Sequence, residues 1–294
     1  MERQPDQEHC ELLIVYHPEF AAQGYPALRE RVEPAFDELQ SRGLLQLPQV
    51  RVREPVPAQE ELVERVHADS HMRSVATSGY YEVAMLSAGS VVLGAAEVAA
   101  SRASNAFCFV GAAGHHASHD GFWGFCYLND VAIAIAGLRE TSDLERFAIL
   151  DIDPHFGDGT RDILGSDPDV LHLNFHSGHP IGREEGANNI DFALAYDASN
   201  DRFLAQVDKA IAAALDFSPE LLFVIFGHDS HRDDYGGFAL GDGAYRAFAE
   251  KVRAAFPRKV CYVLSGGSNP RVARRAIGDV IQVLAGTPSI YGNP

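Results

Sequence analysis

The chain reads as an α/β protein: a mainly parallel sheet with helices on both faces. Short apolar runs alternate with longer amphipathic stretches from one end to the other, which is the pattern of repeated strand-helix units. The runs at 147–150 and 221–226 are apolar throughout, as expected of strands buried between helical layers. Residues suited to chemistry gather just past the ends of such runs, where open parallel sheets build their sites.

In order, residues 12–16 are expected as the first strand, 27–41 as an amphipathic helix stopped by Gly43, and 50–53 as a short strand. Residues 60–68 and 83–102 are expected as helices; the small residues of the second suit close packing on a neighbour better than a membrane or dimer face. A strand at 107–110 and a helix at 130–139 follow, then strands at 147–150 and 170–175 and a loop through Gly186. Apolar residues three and four apart make 203–215 a helix. Strand 221–226, helix 243–256, strand 259–264 and helix 271–284 close the fold. No internal repeat or long linker divides the chain, so its 294 residues are expected as one domain, 1–294.

The formal net charge of −17 would repel a polyanion and argues against nucleic acid as a partner, while suiting a cationic substrate. Cys10, Cys108, Cys126 and Cys261 show neither paired metal spacing nor a disulfide framework. They are expected as thiols in a reducing compartment. Residues 1–10 lack the basic and apolar regions of a signal peptide, and no run reads as membrane-spanning. A cytoplasmic protein without a membrane partner is expected; a homo-oligomer is left open.

The segment Asp151-Ile-Asp153-Pro-His155-Phe-Gly-Asp158-Gly leaves a strand and plants alternating metal-ligand types on a loop. On extended chain, Asp151, Asp153 and His155 can face one pocket. A further ligand is sought in Gly227-His228-Asp229-Ser230-His231-Arg-Asp233-Asp234, at another strand exit. Taken alone, either segment could be a polar turn; two at strand exits, both carrying His with Asp, point to a site. Two carboxylates and an imidazole with a position open to water suit a catalytic divalent metal, most often zinc. Gly114-His115-His116-Ala117 follows a third strand. A neutral imidazole beside such a site is a natural base, and Asp151 and Asp158 are available to fix the tautomers.

With Gly124-Phe125-Cys126-Tyr127-Leu-Asn-Asp130 and the segment from Asp229 to Gly237, these motifs resemble those of the histone deacetylase and acetylpolyamine amidohydrolase superfamily, closest to its class II and bacterial members. Order and spacing agree over residues 16–267. The resemblance implies the arginase-deacetylase fold and a single zinc ion, with iron in its place as an alternative, held by Asp153, His155 and Asp229. It implies His115 and His116 as the acid and base pair, oriented by Asp151 and Asp158. Phe125 and His179 would wall the acyl-lysine channel, with Gly266 and Gly267 along it. A structural potassium ion on the backbone carbonyls of Asp151, Asp153 and His155 is also implied. The substrate would be an acylated lysine, polyamine or related small amide, free or within a peptide.

One position departs from the family pattern. Relatives follow the glycine run after the last core strand with a tyrosine that donates to the developing oxyanion; here the run is Ser265-Gly266-Gly267-Ser268-Asn269-Pro270. Losing one such donor costs about a hundredfold to a thousandfold in rate. Weak turnover of plain acetyl-lysine is therefore expected unless Ser268, through a bridging water, or His228, His231 or a rearranged tyrosine takes over. Two alternatives accompany the hydrolase reading: a zinc-containing acyl-ligand-binding protein without activity, and a di-manganese arginase-like ureohydrolase. The latter typically reads Asp-x-His-x-Asp then Asp-x-Asp, which His231 interrupts.

Overall fold

The computed structural model describes residues 9–178 and 188–288. One eight-stranded sheet runs through it, formed by β1 (Cys10–Val15), β2 (Val50–Arg53), β3 (Ala103–Cys108), β4 (Phe147–Asp151), β5 (Val170–Ser177), β6 (Asn189–Leu194), β7 (Leu221–Phe226) and β8 (Val260–Leu264). The spatial order is β2-β1-β3-β8-β7-β4-β5-β6, and every pairing is parallel. Parallel neighbours need crossovers, and helices supply them on both faces. They are α1 (Glu19–Ala22), α2 (Pro26–Ser41), α3 (Glu60–Val63), α4 (Asp69–Ala76), α5 (Tyr81–Ala99), α6 (Asp130–Thr141), α7 (Asp158–Leu164), α8 (Asn200–Phe217), α9 (Gly243–Ala255) and α10 (Pro270–Leu284).

The central strands β3, β4, β7 and β8 are buried at every position, which is why β7 and β8 run apolar throughout and β4 up to Asp151 instead of alternating. These four are adjacent in the sheet, so the loops leaving their carboxyl ends converge on one point. The edge strand β6 alternates at its carboxyl end, where Phe192 and Leu194 are buried and Ala193 between them is exposed.

Several bounds differ from the sequence reading. β3 begins at Ala103, before the expected 107, because Ser104 and Asn105 are buried within the strand: the Ser104 carbonyl accepts the Lys259 amide and the Asn105 amide donates to the Pro257 carbonyl. The helix expected at 60–68 is one turn, and the chain then re-enters a helix at Asp69. α7, which begins at the end of the metal-motif loop, and β6, which follows the loop expected through Gly186, are elements not expected from the sequence.

α5 corrects one expectation outright: it is long and apolar enough, by length and composition, to cross a membrane, but 72% of its apolar window is buried inside this fold. Its apolarity serves the core. Gly94 meets β3 closely, since a Cβ there would fall 2.3 Å from Cys108 Sγ.

Candidate active site

Asp153 and His155 stand on the loop after β4, and Asp229 on the loop after β7, its neighbour in the sheet. One ligand atom from each lies within 4.8 Å of the others. His155 Nδ1 sits 2.8 Å from Asp153 Oδ1 and 3.2 Å from Asp229 Oδ2. Both Asp229 oxygens are buried and, among the described residues, have no partner in hydrogen-bond geometry. A buried carboxylate left this way is costly unless a cation completes it.

The glycine run gives a second test of fit. A Cβ on Gly266 would fall 2.2 Å from Asp229 Oδ2 and 2.4 Å from Asp153 Oδ2. The missing side chain therefore leaves a cradle between the two carboxylates. Among the described residues this is the one metal-ligating cluster found, and its N/O donor set suits zinc. When bound, such an ion supplies Lewis acidity to a carbonyl and lowers the pKa of water.

Without an ion, the site balances its own charges. Burial opposes charging of His155, but the carboxylates of Asp153 and Asp229 outweigh it and push the imidazole up to about 11. Burial and then the Asp153 charge raise Asp229 to about 7. The proton on His155 holds the place a cation would take.

The loop after β3 brings in the histidine pair. His115 Nδ1 donates to Asp151 Oδ2 at 3.0 Å, and its Nε2 lies 3.6 Å from Asp153 Oδ2. Burial lowers its pKa, yet Asp153 and Asp151 prevail and raise it to about 9. His116 Nδ1 donates to Asp158 Oδ1 at 2.6 Å. Here burial and the neighbouring His115 dominate and bring it down to about 4. With Nδ1 engaged, the accepting lone pair of neutral His116 is on Nε2.

This loop is braced from beneath. Asn129 caps α6, donates to the Ala117 carbonyl and to Thr160 Oγ1, and its amide donates to His67 Nε2. His67 Nδ1 in turn donates to the Ser118 carbonyl at 2.8 Å.

His115, His116, Phe125, Asp153, His155, Asp229 and Gly266 line a single pocket. Asp151 and Asp158 stand behind their histidines. Phe125 holds a left-handed backbone (φ 68°), unusual for an aromatic residue, and stacks on Tyr25 with ring centres 4.4 Å apart. His179 lies outside the described residues. Ser268 is not on the pocket wall: its hydroxyl and amide both donate to Asp234, at 3.2 and 3.1 Å. The other substitutes considered for the missing phenol are also committed elsewhere. His228 accepts from Arg31 Nη1 and donates to Asp234; His231 pairs with Asp242 and accepts the Asp233 amide.

Three residues at this site escaped the sequence reading. Tyr235 lines the pocket beside the metal ligands, and its phenol oxygen accepts the Gly267 amide at 3.1 Å. Burial and then the Asp229 and Asp153 carboxylates raise its pKa, so it stays protonated. Trp123 stacks on His116 with centres 3.8 Å apart and donates to Asp158 Oδ2 at 2.8 Å. Arg31, fully buried on α2, donates to the Gly266 carbonyl at 2.7 Å and to that of Ser265, fixing the glycine run. Arg31 reads in sequence as part of a polar helix face; a tyrosine after two aspartates gives no signal of its direction.

A cluster able to hold a metal ion facing two carboxylate-backed histidines is an arrangement suited to metal-dependent hydrolysis. The chain belongs to the histone deacetylase family: the histone deacetylase domain model matches residues 73–284. It is 29% identical over 274 residues to a probable deacetylase of Archaeoglobus fulgidus, covering 82% of this chain and 75% of that protein. It is 31% identical over 226 residues to acetylpolyamine amidohydrolase 1 of Pseudomonas aeruginosa, covering 71% of this chain and 63% of that one. The crystal structure of the HDA15 HD domain superposes with a TM-score of 0.87 over 96% of this chain and 91% of its own, at 20% identity. The fold is thus the arginase-deacetylase fold, and the protein is a hydrolase acting on amides.

Proposed function

We propose that this protein is a zinc-dependent deacylase of acylated amines, taking acyl-lysine, acylpolyamine or a related small amide. The observation that carries the reading is that one pocket joins the Asp153–His155–Asp229 cluster to two histidines, each with its own carboxylate. A protein that only bound its ligand would need no such acid and base pair. The net charge of −17 suits a cationic amine, and one relative is named an acetylpolyamine amidohydrolase.

In this reading His116 Nε2 takes a proton from the attacking water while Asp158 holds the ring. The water oxygen bonds to the carbonyl carbon and the carbonyl electron pair moves to oxygen. The C–N bond then breaks, the nitrogen receives the proton from His116, and a carboxylic acid and a free amine leave. His115, whose Nδ1 donates to Asp151, is the partner that orients the water and donates toward the developing negative charge. A potassium ion on the carbonyls of Asp151, Asp153 and His155 belongs to the same proposal.

The test is metal analysis run beside a panel of acetyl, longer acyl and trifluoroacetyl amides of lysine and polyamines. About one zinc per chain with amide cleavage is expected. Two metals per chain with arginine cleavage, or zinc without turnover of any amide, would overturn it.

A further inference from the structure

The family tyrosine is absent after the glycine run, yet a phenol stands in the pocket. We infer that Tyr235 is the catalytic donor to the substrate's developing oxyanion, reaching it from the loop after β7 instead of the loop after β8. The inference rests on the amide-hydrolase reading above.

Four observations place Tyr235 in this role. First, it lines the same pocket as Asp153, His155, Asp229, His115 and His116, and its ring centre is 6.0 Å from that of His155. Second, its oxygen accepts the Gly267 amide. That puts the phenol one residue past Gly266, the residue whose Cβ would touch both metal-site carboxylates. An oxygen accepting an amide N–H keeps its own proton for an acceptor, and a carbonyl oxygen entering the pocket is one.

Third, the loop is fixed. Asp234 accepts the amides of Ser268, Asn269 and Tyr235, the Ser268 hydroxyl and the His228 ring. The Gly236 amide donates to the Asp229 carbonyl, and the Asn269 side chain donates to the Asp233 carbonyl. The two loops are thereby latched, which fixes the backbone that carries the half-exposed Tyr235 ring, and the Gly267 amide holds its oxygen. Such preorganisation is what an oxyanion donor requires, because its dipole must not reorient during reaction. Fourth, Ser268, His228 and His231 are each engaged away from the pocket, so among the substitutes considered Tyr235 alone presents a donor on the pocket wall.

The hydrogen bond is made as the carbonyl electron pair moves onto oxygen; no proton need leave Tyr235, and the atom balance of the hydrolysis is unchanged. Its presence removes the reason to expect weak turnover of plain acetyl-lysine.

Tyr235→Phe keeps the ring and deletes only the hydroxyl. Measured on the zinc-loaded full chain, kcat is expected to fall about a hundredfold to a thousandfold with KM little changed and metal content intact. Ser268→Ala removes one hydroxyl from the latch but leaves the Ser268 and Asn269 amides on Asp234, so it should cost less than about tenfold in kcat. Calorimetric binding of a trifluoromethyl ketone, whose hydrate carries tetrahedral hydroxyls, gives a readout without turnover: Tyr235→Phe should weaken it at least about tenfold while acetate binding is unaltered. Unchanged kcat and ketone affinity in Tyr235→Phe would overturn the inference, as would loss of metal from that variant or collapse of activity in Ser268→Ala. If the wild type cleaves no amide of the panel yet binds the ketone in a Tyr235-dependent way, the amide-hydrolase reading fails while Tyr235 stands as the oxyanion donor.

Discussion

The two walls of the pocket are built on different terms. On one side, the histidine pair and its carboxylates occupy neighbouring places in two short motifs, and each histidine pairs with the carboxylate its motif supplies. On the other, the chemistry is shared between the loops after β7 and β8, joined through Asp234. There the position after the glycine run holds a serine turned to Asp234, and a phenol arrives from the partner loop. A motif fixes a role when neighbouring backbone alone aims the side chain. Where two loops are latched, the same role can pass from one to the other.

Substitutions at each wall sharpen that contrast. The largest effect is expected where the walls meet: Asp229→Ala should reduce bound zinc from about one per chain to a small fraction and abolish turnover, checked by elemental analysis; retained zinc would show that the walls do not share an ion. His116→Ala should next cost about a hundredfold to ten-thousandfold in kcat at unchanged metal content. That loss should match or exceed the loss in Tyr235→Phe; a milder one would move the burden to the latched wall. Asp158→Asn removes only the group behind His116, and about a tenfold to hundredfold fall in kcat is expected.

The smallest effect concerns the brace under the histidine loop. Burial first, and then neighbouring His71, hold His67 down to about 3. The folded protein therefore prefers it neutral, while the unfolded chain takes up a proton below its ordinary value near 6.5. Stability from this group is complete above pH 6.5 and is lost as pH falls toward 3. Between pH 7 and pH 5 the loss is at most about 2 kcal/mol, and thermal melts should show a flatter profile in His67→Gln.

The sheet was legible because fully buried strands leave unbroken apolar runs, as at β4 and β7, and the candidate metal cluster because Asp153, His155 and Asp229 follow those runs directly. The edge strand β6 was not, because its exposed positions dilute the apolar signal, nor was the start of β3, where buried Ser104 and Asn105 resemble a turn. Arg31 and Tyr235 were invisible for a different reason. Each is defined by a partner far along the chain, Gly266 for one and Gly267 for the other. Which loop lies against which is a tertiary fact that spacing does not encode.

Trp123 is the chain's single tryptophan, and it lies half in solvent against the His116 ring with its indole N–H on Asp158. Nature has therefore placed one fluorophore at the mouth of the reaction chamber. Its emission, unobscured by any other indole, offers a label-free optical gauge of ligand arrival at His116.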